Sequence, residues 1–193
     1  MHRHQFSRSH GFRAHRLILA LSVLLLALPG LAHAQVLDNY TISLAGGLGG
    51  AFDADPDPGL SNTTIQLGFS LALDTTSLFV ARLGQLDLDD PQGFGGLADA
   101  ELTYVTLGGE YRLRRSLYDS GIFLGLGGYR LEGTRFATGE GDEQTALGLV
   151  LGVTADFPIT RRFSILSELS GHYADLDEAQ FFGMLHVGVA FHF

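Results

Sequence analysis

Cysteine, lysine and tryptophan are absent from all 193 residues, and proline occurs only five times. Without cysteine the chain can hold no disulfide, no thiolate-bound metal and no lipid-bearing cysteine. A secreted domain of this size folds without disulfides, so their lack excludes chemistry and leaves export open. The absence of lysine has no evident physical reason. Basic residues are scarce too, 12 against 21 acids for a net charge of -9. Nucleic acid is thereby excluded as a partner, because it requires a basic footprint. Long apolar runs are also missing beyond the first thirty-odd residues, so no later segment suffices for a membrane-spanning helix, which needs roughly 20 apolar residues.

The one apolar run present, Leu17 to Leu28, follows Arg3, Arg8, Arg13 and Arg16 and precedes Pro29-Gly30 and Ala32-His33-Ala34. A basic segment, a short apolar segment and a small-x-small site make a secretory signal peptide. We therefore expect residues 1–34 to be removed after Ala34, leaving 35–193 as one domain. Loss of those four arginines takes the net charge from -9 to -13, since no acid precedes residue 35.

Glycine is plentiful, with 26 residues, and glycine is poor in helix interiors. Apolar residues recur with period two instead, the mark of strands with one apolar face. In "TIQLGFSLAL", Ile65, Leu67, Phe69, Leu71 and Leu73 share one parity while Thr64, Gln66, Gly68, Ser70 and Ala72 share the other. Continuing this reading gives strands at about 39–51, 62–73, 76–87, 101–113, 120–132, 144–157, 162–174 and 180–193. Each is long enough to cross a bilayer as a tilted strand. Long connections ("DADPDPGLSN", "LDDPQGFGGLADA", "GTRFATGEGDEQ", "DLDEA") alternate with short ones near Asp74-Thr75, "RRSLYDS" and "PITRR". This alternation predicts an all-β, eight-stranded antiparallel up-and-down transmembrane β-barrel, with short turns and both termini in the periplasm.

Most acids fall in or beside the four long connections, while Arg114, Arg115, Arg161 and Arg162 flank the short turns. A soluble lipocalin-like barrel is the rival, with its apolar face turned inward. Its outer face would then be the Gly, Ala, Ser and Thr parity, almost without charge to hold water. Small residues suit the crowded interior of a narrow barrel better. Aromatics gather near strand ends, with Tyr40, Phe79, Tyr111, Phe157, Phe163 and Phe191 at one rim and Tyr104, Tyr173 and Phe181 at the other, as interfacial girdles would.

The last strand alternates Leu185, Val187, Val189, Phe191 and Phe193. With this ending and the architecture above, the chain resembles the OmpA/OmpX-type small outer-membrane β-barrels of Gram-negative bacteria. The resemblance covers the whole of 35–193. It implies that these five residues form a signal read by the barrel-assembly machinery. It also implies outer-membrane lipid and lipopolysaccharide as surroundings, a monomeric state, no cofactor, and loops that meet some extracellular partner. Unlike the longer members, this sequence shows no periplasmic domain after its barrel strands, so we expect no peptidoglycan anchoring by that route. The class includes adhesins, structural proteins, narrow channels and lipid-modifying enzymes, so membership alone selects no function.

Inward parity gathers Arg82, Glu110, Arg112, Glu168 and His186 in the lumen, with Glu168 opposite His186 and Arg82 within reach of Glu110. Buried charges need partners, so the first reading is a polar plug; the alternative is a gate that opens a narrow conductance when the pairs exchange. Glu168, Ser170 and His172 share one face and supply the parts of a hydrolase triad. Eight-stranded lipid A deacylases use such a set, but in a His-x-Ser order, whereas this chain has Ser-x-His. We expect no catalytic activity. In the first long connection Asp53, Asp55 and Asp57 alternate like a calcium loop, but Pro58 and Thr64 stand where that loop needs glycine and a carboxylate. A looser cation site with Asp87, Asp89 and Asp90 is the alternative to plain solvated acids.

Overall fold

The computed structural model describes residues 40–53, 60–88, 94 and 96–193. The expected signal peptide and most of the first long connection, including Asp55 and Asp57, lie outside the described residues, as do Asp89 and Asp90. The compact unit runs from Asn39 to Phe193.

Eight strands follow in chain order: β1 (Tyr40–Ala51), β2 (Asn62–Ala72), β3 (Ser77–Asp87), β4 (Leu97–Arg114), β5 (Asp119–Arg135), β6 (Gly141–Pro158), β7 (Phe163–Ala174) and β8 (Phe181–His192). Each pairs antiparallel with the next, and β1 pairs with β8, so the sheet closes with no free edge. Closure satisfies every ladder within the protein, which a sheet in lipid requires. The last residue takes part: Phe193 N donates to Tyr40 O at 3.0 Å. Its ring stacks on Tyr40 at 4.2 Å and meets Phe191 edge-on at 4.5 Å.

The expected alternation is borne out by which side chains are exposed. Leu44, Leu107, Leu126, Leu151, Leu185, Val187 and Val189 point outward over the middle of the barrel, while Gln66, Arg82, Glu110, Glu168 and His186 are buried. An apolar outside around an interior that holds the buried charges inverts a soluble barrel and matches a lipid-facing belt. The lipocalin-like arrangement is thereby ruled out.

Two sequence expectations need correction. Tyr104 is not a girdle residue, because its side chain is buried in the lumen. It shares the parity of Glu110 and Arg112, so the pleat turns it inward whatever its height. The third long connection is mostly strand. β5 runs to Arg135 and β6 begins at Gly141, leaving 136–140 as the connection. Arg130 donates to both oxygens of Glu143 at 3.0 and 2.9 Å and lies 2.5 Å from Glu132, and Arg135 pairs with Asp142. These diagonal pairs across the hairpin, with Arg130 also offsetting the directly opposed Glu132 and Glu143, support its extension into water.

Candidate functional site: the packed lumen

The interior has two storeys. The one nearer the long connections is apolar: Leu86, Leu102, Tyr104, Tyr129, Leu131, Phe182 and Met184 fill it. Leu88, Phe94, Leu176 and Ala179 from the connections fold over this plug and are buried with it. Their apolar character was the available signal; counting only charge in these segments misses it. Asp53 serves the same closure. Its carboxylate accepts the backbone N–H of Gln180 at 2.8 Å and of Phe181 at 3.0 Å, tying the first long connection to the fourth. Among the described residues no three potential ligands gather as a metal site, and Asp87 ends β3, opposite Glu101.

The storey nearer the short turns is a charged network to which several strands contribute. Arg82 Nε donates to Glu168 Oε2 at 2.8 Å, and its Nη2 lies 3.8 Å from Glu110 Oε2. The Arg82 guanidinium also sits 3.8 Å above the centre of the Phe123 ring. Arg112 donates to Glu110 Oε1 through Nε at 2.9 Å and Nη2 at 2.8 Å, and Thr154 adds a hydroxyl to the same oxygen at 3.1 Å. Asp156 stands 3.5 Å from Arg112 and 3.9 Å from His192. His192 in turn bonds Thr41 and Ser164 at 2.9 and 2.8 Å. On the far side Gln66 donates to Glu168 at 3.2 Å and accepts from the Tyr104 hydroxyl at 2.9 Å, joining the two storeys. The remaining space is a cavity of about 30 Å3 lined by Arg82, Glu110, Arg112, Asp156 and Glu168, room for a water or two.

Two glycines make the network sterically feasible. A Cβ at Gly84 would collide with the Tyr104 ring, and one at Gly121 with the Glu110 carboxylate and the Thr154 hydroxyl. A strand glycine here marks the close approach of a bulky neighbour.

Glu168 faces His186 in the β7–β8 register, yet the two do not bond as the sequence reading paired them. Arg82 and Gln66 occupy both Glu168 oxygens. Thr64 donates its hydroxyl to the Gln85 carbonyl at 2.8 Å, so its oxygen accepts a hydrogen bond from His186 Nε2–H at 3.1 Å. His186 Nδ1 is left as a buried acceptor without a partner. A neutral imidazole has one donor and one acceptor nitrogen, so the bond to Thr64 fixes this tautomer.

Ser170 and His172 do meet, Oγ to Nε2 at 3.0 Å. The other imidazole nitrogen binds the Tyr129 hydroxyl at 3.0 Å, and that hydroxyl donates to the Leu149 carbonyl at 3.3 Å. Tyrosine thus stands where a triad needs a carboxylate, and Glu168 is engaged elsewhere. All three candidate residues are buried on the lumen side of β7, away from the bilayer.

No family model matches the chain, and no curated protein matches it. Solved structures do. Neisserial surface protein A is similar with a TM-score of 0.65 at 13% identity, over 80% of this chain and 97% of that one. The N-terminal β-barrel domain of Pseudomonas aeruginosa OprF gives 0.56 at 16%, over 82% and 100%. A major outer membrane protein from Thermus thermophilus gives 0.58 at 14%, over 80% and 98%. At such identities the likeness concerns the fold, and the closed sheet, the apolar belt and the filled lumen agree with it: this chain has the fold of the small eight-stranded outer-membrane barrels.

Proposed function

We propose that the protein is a monomeric integral outer-membrane barrel with a structural or surface-interaction role, presenting acidic long connections outside the cell. The observation that carries this reading is the double closure of the lumen, an apolar plug above and paired charges below. Such an interior offers neither a water-filled path nor a nucleophile reachable from lipid, which directs attention to the outer surface. The alternation Leu185, Val187, Val189, Phe191 and Phe193 serves as the assembly signal in this reading, with surrounding lipid and lipopolysaccharide as the solvent.

The test is a comparison of cells expressing the intact protein with cells expressing a version lacking 136–140 and part of the second connection, both checked for barrel folding. Intact protein should leave the lipid A acylation pattern unchanged, while trimming should alter attachment or envelope integrity. A changed lipid A pattern would replace this reading with the hydrolase alternative, for which the Ser170–His172 hydrogen bond is the favouring observation.

A further inference from the structure

The face at the short turns has no part in the reading above, although its composition is unusual. Arg114 and Arg115 stand at the turn between β4 and β5, and Arg161 and Arg162 at the turn between β6 and β7; all four are exposed. The other arginines among the described residues are ion-paired: Arg82 and Arg112 in the lumen, Arg130 and Arg135 at the opposite end. Among the described residues these four form no ion pair. The nearby Asp119 carboxylate accepts the backbone N–H of Arg115 at 3.4 Å, a contact that caps the turn and leaves the guanidinium free.

The two turns lie two strand spacings apart, roughly 10 Å. Tyr118 in one and Phe157 beside the other are in ring contact, with centroids 5.5 Å apart. The same two turns carry Leu117, 80% exposed, and Ile159, 64% exposed. With the Tyr118–Phe157 ring pair they give these two turns an exposed apolar component beside their arginines. The remaining short turn differs. It carries Asp74, whose carboxylate is taken up by Thr76 and Ser77, and no arginine. The basic, apolar patch is therefore confined to one side of the rim.

We propose that this patch is a binding site for an anionic phospholipid of the leaflet that surrounds the short turns. Guanidinium groups receive phosphate oxygens in a fork geometry and remain charged at every working pH. Leu117, Ile159 and Phe157 meet the glycerol and upper acyl region, where a basic side chain with an apolar neighbour suits the interface. The site would hold a lipid beside the β4–β7 half of the barrel. It rests on the outer-membrane orientation proposed above.

The test uses the refolded full barrel in detergent, with lipid retention read by native mass spectrometry. Phosphatidylglycerol should be retained over phosphatidylcholine by roughly tenfold, given the attraction of several arginines to an anionic headgroup, and the preference should fall as salt rises. The combined substitutions Arg114→Gln, Arg115→Gln, Arg161→Gln and Arg162→Gln should bring the ratio near one. The four lysine counterparts should keep part of the preference and guard against a folding artefact. Arg130→Gln with Arg135→Gln, at the other end, should leave the ratio unchanged. Equal retention of both lipids by the native barrel, or an equal loss in the Arg130/Arg135 control, would overturn the proposal. Displacement of the lipid by equimolar inorganic phosphate would overturn it too, because a bare anion site needs no lipid.

Orientation is tested separately, and the lack of native cysteine makes the reading clean. Ser116→Cys should react with an impermeant maleimide only after the outer membrane is opened. Labelling in intact cells would overturn the leaflet assignment, while the lipid preference measured in detergent would still stand or fall on its own result.

Discussion

Arg82 on β3 and Glu168 on β7 meet across the lumen at 2.8 Å, and both side chains are buried. The guanidinium covers the Phe123 ring, and the carboxylate's second oxygen accepts a hydrogen bond from the Gln66 amide. Charge, ring and amide form one unit, so no member can leave without exposing another to an apolar surrounding.

Removing one partner should therefore cost more than removing both. Arg82→Ala should destabilise the barrel by about 3 kcal/mol or more, because it leaves Glu168 buried and uncompensated. Arg82→Met combined with Glu168→Gln should cost less than Arg82→Ala alone. Urea unfolding in lipid vesicles, followed by far-ultraviolet circular dichroism, measures both. A tryptophan signal would have to be introduced, since the chain has none.

Gly84 leaves the space that the Tyr104 ring occupies. Gly84→Ala should push that ring aside, break its bond to Gln66 and destabilise by about 1–3 kcal/mol, the usual range for overpacking. The control Gly128→Ala faces open space and should be near neutral in the same unfolding assay.

Ser170→Ala should remove one buried hydrogen bond, with a loss of about 1 kcal/mol, and should not change lipid A. A mass spectrum of lipid A from expressing cells checks the second point independently of the first.

Asp74, in the turn between β2 and β3, is a carboxylate held by its own turn. Hydrogen bonds from the backbone N–H groups of Thr76 and Ser77, then from their side chains, hold its pKa down to about 2, against an ordinary value of 3.8. The sign follows from linkage: a carboxyl with a depressed folded pKa stabilises the fold above its unfolded pKa. That contribution fades as pH falls from 3.8 toward 2. Carboxyl carbon shifts recorded against pH in micelles should show a midpoint near 2 for Asp74, and Thr76→Ala should raise it.

The eight strands, their antiparallel order and the inward or outward sense of nearly every side chain were legible because the pleat repeats every two residues. Tyr104 shows the limit of reading by neighbourhood instead of parity: nearness to a strand end suggests a girdle, whereas its even parity turns it into the lumen. Which inward groups touch across the lumen was less legible. Arg82 reaches Glu168, four strands away in the chain, and that meeting depends on strand tilt and stagger, which local sequence does not encode. His186 bonds Thr64 on β2, a contact created by closure between β8 and β1. The folding of Leu88, Phe94, Leu176 and Ala179 over the mouth is hard to read from sequence because acids dominate those stretches, while the few apolar residues among them are the ones buried.

The closed lumen is the claim on which the functional reading depends, and single-channel recording in planar bilayers tests it most directly. The native barrel, inserted at neutral pH, should show no resolved conductance steps, and Gly84→Ala should show none either. Stable open levels in the native protein would contradict the account, and their loss on substituting Glu110 or Glu168 would identify the paired charges as a gate instead of a plug.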